Sequence, residues 1–148
     1  MKRLYVLAAA LLVCSCGPQT DAGNLNITEV TFPNGKTVTA ETMLRDVDQM
    51  RGMMFRDSLA KDRGMLFVHA AEGKHPYWMY QVRIPLDIVW MDQQRRIVEI
   101  AANTPPCPSK EAHECPSFGG RENARYVLEL AGGSAAGYGL KAGDTLRF

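Results

Sequence analysis

Residues 77–92 read YWMYQVRIPLDIVWMD. From Leu86 to Met91 the run is apolar, rich in β-branched and aromatic types, and interrupted once, by Asp87. A short continuous apolar run bounded by turn residues reads as a strand buried on both faces. An ionised carboxylate inside such a strand is costly unless it is paired or hydrogen-bonded. The guanidinium fork of arginine matches a carboxylate bidentately, so an Arg–Asp pair is expected here. Arg83 lies four residues away, more than ~12 Å along an extended strand. Arg51, on a methionine-lined helix, is the expected partner.

Outward from this strand the chain alternates short apolar runs with turn signals. Leu25–Phe32 and Lys36–Leu44 read as strands joined through Asn34-Gly35, a hairpin signal. A helix is predicted from Asp46, with Gln49 completing a capping box and Val47, Met50, Met53 and Met54 on one apolar face. It ends near Phe55. Gly64–Val68 is a short strand, followed by a polar loop to Pro76. Tyr77–Met79 and Leu86–Met91 are strands interrupted at Ile84-Pro85, since proline cannot donate to a ladder. Arg96–Ala102 and Ala124–Leu130 follow. Ser134 opens a helical turn that Gly139 stops in the left-handed conformation, and the chain closes on a final strand. The pattern predicts a mostly-β single domain over residues 25–148, a sandwich or small barrel with one or two short helices.

The N-terminus carries a different signal. Lys2 and Arg3 precede an apolar run, Leu4–Val13, and then Val13-Cys14-Ser15-Cys16. A basic start, a short apolar core and small residues before a cysteine have the layout of a bacterial lipoprotein signal. Residues 1–15 are read as the signal, Cys16 as the lipidated residue and residues 16–24 as a polar tether. The expected address is the cell envelope, facing the periplasm. Gly17 lacks the Asp that retains lipoproteins at an inner membrane, which favours the outer one. Losing Lys2 and Arg3 leaves 15 basic residues against 16 acidic ones. That balance excludes the concentrated basic surface that nucleic acid requires, and a monomer is expected.

Cys107 and Cys115 remain as an even pair in an oxidising compartment, within PPCPSKEAHECPS, and are read as a disulfide. A zinc site would need two more ligands beside them, and only His113 is near. His69, His75 and His113 show no ligand spacing. The methionine stripe reads as packing rather than a copper site, so no metal or cofactor is expected. The chain has no G-x-S-x-G elbow and no H-E-x-x-H motif, and no catalytic residue is assigned. Glu129, in YVLEL, is expected either beside Asp87 or facing solvent.

Several motifs, in order, resemble one family. They are RGMMFR (51–56), GMLF (64–67), YWM (77–79), IPLDIVWMD (84–92) and the ending YVLELAGGSAAGYGLKAGDTLRF from Tyr126. Together they resemble the domain-of-unknown-function family numbered 192, the uncharacterised conserved ACR family, over about residues 26–148. The resemblance implies a β-rich, jelly-roll-like, often exported domain and no established activity. Members often carry Lys-Asn after the Trp-Met pair, where this chain has Tyr80-Gln81. Ligand pockets are mostly apolar with a few placed polar groups. Arg51, Met53, Phe55, Trp78, Met79 and Asp87 form the candidate set for a small or peptide-like ligand. The other reading is an envelope accessory acting through protein contacts, with the Arg–Asp pair purely structural.

Overall fold

The computed structural model describes residues 26–148. The signal, the Cys16 lipidation site and the tether lie outside the described residues. Asn34-Gly35 turns the chain between β1 (Ile27–Thr31) and β2 (Thr37–Met43), with Gly35 at φ +81° as the turn requires. The chain then crosses through α1 (Asp46–Arg51) to β3 (Arg63–Gly73), which lies parallel to β2. A parallel pair cannot be joined by a tight hairpin, and α1 with its following loop supplies the crossover. After β4 (Tyr77–Trp78), β5 (Leu86–Met91) and β6 (Ile97–Thr104) form a hairpin. Beyond the cysteine loop come β7 (Ser117–Phe118), β8 (Ala124–Ala131) and α2 (Ser134–Tyr138).

Six strands form one mixed sheet in the order β1-β2-β3-β8-β5-β6, and β4 pairs with β7 in a separate two-stranded sheet. The C-terminal segment bridges both edges of the large sheet, pairing Arg147 with Thr31 and Thr145 with Arg96. That contact joins the end of β1 to the start of β6 and curls the sheet toward a small barrel. The mostly-β expectation with two short helices describes the domain.

Strand alternation then separates two cores. Val89, Met91, Leu66, Leu128 and Leu130 point into the curl, against Ala135, Leu140 and Leu146. Met65, Phe67, Ile88, Trp90 and Val127 point outward, where Met43, Met53 and Met79 cover them. All of β5 is therefore buried.

Several local readings change, and the expected final strand is present only as the two isolated bridges of Thr145 and Arg147. Val47 and Met50 are 65% and 68% exposed, so the apolar face of α1 is not a core face; only Met53, beyond the helix, is buried. Arg45, not Asp46, is the N-cap, and no side chain caps the helix. Gln49 instead donates to the carbonyls of Met43 (3.1 Å) and Val68 (2.9 Å), tying α1 to the end of β2 and the middle of β3. The polar segment after Val68 continues β3 as far as Gly73, with a register shift against β8.

Candidate functional site

Asp87 is completely buried, as its surroundings in sequence require. Its partners are backbone amides rather than Arg51. Oδ1 accepts from Asn103 N (2.6 Å) and Gly133 N (3.0 Å), and Oδ2 from Ala135 N (2.7 Å). The first amides of a helix have no partner within it. Here a carboxylate reaching across from β5 satisfies those of α2, whose own Ser134 makes no cap. An anion with three such donors needs no cation. Asp87 shares its face with Val89 and Met91, while Arg51 is exposed on the other side of the sheet and makes no ion pair among the described residues. The expected Arg51–Asp87 pair is therefore replaced by a backbone cradle.

On the outer face, α1 and its exit, β3, and the segment from Pro76 to Val82 enclose a pocket of about 150 Å³. Arg51, Met53 and Trp78 line it as expected from sequence. Met79 is fully buried in the outer core, and Phe55 lies apart, 48% exposed under the Arg83 guanidinium. Gly52 closes α1 at φ +43°, and a Cβ there would press Phe67 at 3.3 Å, so the chain turns into the pocket wall where only glycine sits easily.

The sequence reading missed the group that defines this pocket. Glu129 of β8 lies in its lining, 4% exposed, and its Oε2 is enclosed without a hydrogen-bond partner among the described residues. Its cross-strand neighbours are Met65 and Ile88, both apolar. Burial pushes its carboxyl up to about 8, against the pull of Arg56. Arg56 does not neutralise it, because Glu41 holds that guanidinium bidentately at 2.5 and 2.6 Å. Asp87 and Glu129 therefore form no carboxylate pair; alternation sends them to opposite faces. A lone acid inside VLELA carried the same signal as the lone acid inside PLDIV.

Arg51 brings a positive charge to the exposed side of the pocket, whereas His69 and Tyr77 in its wall are neutral near pH 7. His69 is lowered to about 4, by burial first and then by His75 and Arg125, and its Nε2 meets the Tyr77 hydroxyl at 3.1 Å. Burial, with a smaller push from Glu129, raises the Tyr77 hydroxyl well above its ordinary range. Among the described residues that line the cavity there is no Ser, Thr or Cys, and Glu129 is the one carboxylate.

The wall formed by β4 is braced from behind. The Cys107–Cys115 disulfide is present, Cys107 N donates to Met79 O (3.2 Å), and Phe118 of β7 pairs with Tyr77. Beside the pocket, Phe55 and Gln81 both adopt positive φ (65° and 55°), and Phe55 N donates to Gln81 O at 2.9 Å. Asn enters that conformation more readily than Gln. A second, larger cavity of about 690 Å³ lies near Lys36, Lys61 and Tyr138. The Gly133 and Ala135 amides beside it are already taken by Asp87.

The family model of the uncharacterised ACR proteins, DUF192, matches residues 29–148. The chain belongs to the DUF192 family. A protein of unknown function from Novosphingobium aromaticivorans has a similar structure, with a TM-score of 0.72 and 30% identity over 86% of this chain and 89% of that one. A protein from Sinorhizobium meliloti, provisionally described as a transcription regulator, gives 0.70 and 28% over 80% and 89%. No curated protein matches the chain. DUF192 membership brings no activity with it, but it gives the pocket a context. Arg51, Gly52, Met53 and Met54 come from the RGMMFR motif, Phe67 from GMLF, Tyr77 and Trp78 from YWM, and Glu129 from the C-terminal motif. Four separate stretches that carry the family resemblance meet at one cavity.

Proposed function

We propose that this DUF192 domain is a binding module for a small or peptide-like ligand, held at the bacterial cell envelope by a lipid on Cys16. The observation that carries the reading is the pocket floored by Glu129. A buried carboxyl with no partner costs about 1–3 kcal/mol, a cost that a binding site can carry because its ligand supplies the missing contact. The mouth supports a ligand longer than the cavity: Met50 is 68% exposed and Trp78 40% exposed, so apolar surface continues outward from the opening. The address rests on the basic start, apolar run and Ser15-Cys16 junction, and the outer membrane is favoured by Gly17.

Native mass spectrometry of the protein released from its own envelope tests the reading. A retained small molecule, lost in the Trp78→Ala variant at unchanged stability, is the expected result. Uniformly ligand-free protein, with Trp78→Ala indistinguishable from it, would favour an accessory that acts through protein contacts alone.

A further inference from the structure

We propose that the end of the ligand seated on the pocket floor is a cation: a primary ammonium on a short unbranched alkyl arm, as in a lysine side chain or a free alkylamine. The inference deepens the binding-module reading and rests on it. Three observations converge on this chemistry.

The first is the missing donor. Glu129 Oε2 is enclosed and unpartnered among the described residues, and Arg56, the cation whose charge acts on it, is held by Glu41. The floor thus presents an acid for which the protein provides no counter-ion. An ammonium brings both the charge and the hydrogen-bond donors.

The second is the wall. Trp78, Tyr77, Tyr80 and Phe67 surround the cavity. Aromatic faces attract cations and do so more strongly where water is displaced. Two of the other polar groups in the wall are already engaged, His69 by Tyr77 and the Gln49 amide nitrogen by two carbonyls, so they do not compete for the floor.

The third is size and polarity along the pocket. About 150 Å³ is the volume in which a protein cavity accommodates benzene, six heavy atoms. A butylammonium, with five, fits. Arg51 is exposed and lines the same pocket, so a bare cation is disfavoured beside it, and the ligand's charge belongs at the far end, on Glu129.

The charge logic makes the test specific. Glu129 holds a proton up to about pH 8, and a cationic ligand requires it ionised, so binding expels that proton. The charged or titratable groups around Glu129 are Arg56, Arg51, Tyr77, Tyr80 and His69, with His75 stacked on His69 at 3.6 Å. His69, at about 4, stays neutral between pH 6 and 8.

The experiment is an NMR titration of the full domain, following the Trp78 indole N–H, with n-butylammonium, 1-butanol and Nα-acetyl-lysinamide. The expected result at pH 8 is at least about tenfold tighter binding of n-butylammonium than of 1-butanol. Its affinity should rise by about 50-fold from pH 6 to pH 8, while 1-butanol stays flat. Glu129→Gln should erase the difference and leave 1-butanol binding intact. Tighter binding of Nα-acetyl-lysinamide than of n-butylammonium identifies a peptide source, and equal binding a free amine. If 1-butanol binds as well as n-butylammonium at every pH, the cation inference falls and the pocket reading survives. If none of the three moves the Trp78 signal, both fall.

Discussion

Two buried carboxylates lie on neighbouring strands of the same sheet, and they live in opposite circumstances. Asp87 pairs across β5 and β8 with Leu130, one residue from Glu129. Asp87 faces the inner core and accepts three backbone hydrogen bonds. Glu129 faces the outer core and has an oxygen with none among the described residues. In sequence both are single acids inside apolar runs. Asp87 holds β5, the end of β6 and the start of α2 together, so it belongs to the scaffold. Glu129 holds nothing together and borders a cavity. A buried acid that stabilises its fold and one that burdens it are told apart by their partners, not by their burial.

The largest expected effect tests the scaffold side. Asp87→Asn keeps the shape but replaces one acceptor oxygen with an amide that faces a backbone donor. Hydrogen bonds to charged groups contribute about 1.5–3 kcal/mol each, and an orphaned donor adds its own cost. The expected loss is about 4 kcal/mol in chemical denaturation. The hydrogen-exchange protection of α2 should fall with it, since its first amides lose their cap. An unchanged denaturation midpoint would remove Asp87 from the scaffold.

Glu129→Gln should act with the opposite sign. A carboxyl raised from 4.5 to about 8 by burial makes folding less favourable as pH rises, because the folded state keeps a proton that the unfolded chain releases. Below the unfolded value both states are protonated and the penalty is absent. It then grows by about 1.4 kcal/mol per pH unit and levels off above pH 8. Removing the titration should leave stability nearly unchanged at pH 4 and raise it by about 3 kcal/mol at pH 7. The check is a set of denaturation curves from pH 4 to 8. A variant less stable than the parent at pH 7 would mean that Glu129 has a structural partner after all. A gain in stability with a loss of ligand is the trade expected of a binding site.

Both acids were visible in the sequence to unequal degrees. The burial of Asp87 follows from Leu86–Met91, because an apolar run of strand length has no solvent-facing side. Its partners did not follow. The amides of Gly133 and Ala135 come from 46 and 48 residues away, and no residue type advertises a free backbone donor. Glu129 was misread because alternation in YVLEL suits a half-exposed strand, whereas β8 is central and covered on both faces. The hairpin at Asn34-Gly35, the stop at Gly139 and the cysteine pair were legible because each depends on local conformation or on one pairing. The face of α1 was not. A periodic stripe of Val47, Met50 and Met53 shows amphipathicity, but only the tertiary structure decides whether that stripe meets a core, and here Val47 and Met50 meet none of it.

The smallest expected effect sharpens the contrast from the side of Arg51. Had Arg51 been the counter-ion of Asp87, its replacement would strand a buried charge and cost about 3–5 kcal/mol. In the structure it is exposed, on the opposite side of the sheet, and without an ion pair among the described residues. Arg51→Met should therefore change stability by no more than about 0.5 kcal/mol. The double variant with Asp87→Asn should show additive losses, since the two side chains share no partner. A coupling energy near 2 kcal/mol would restore the ion pair and overturn the backbone cradle. Additivity leaves Arg51 free for the mouth of the Glu129 pocket. There its replacement should alter ligand affinity while the fold stays put, separating a residue that meets a ligand from one that holds a sheet.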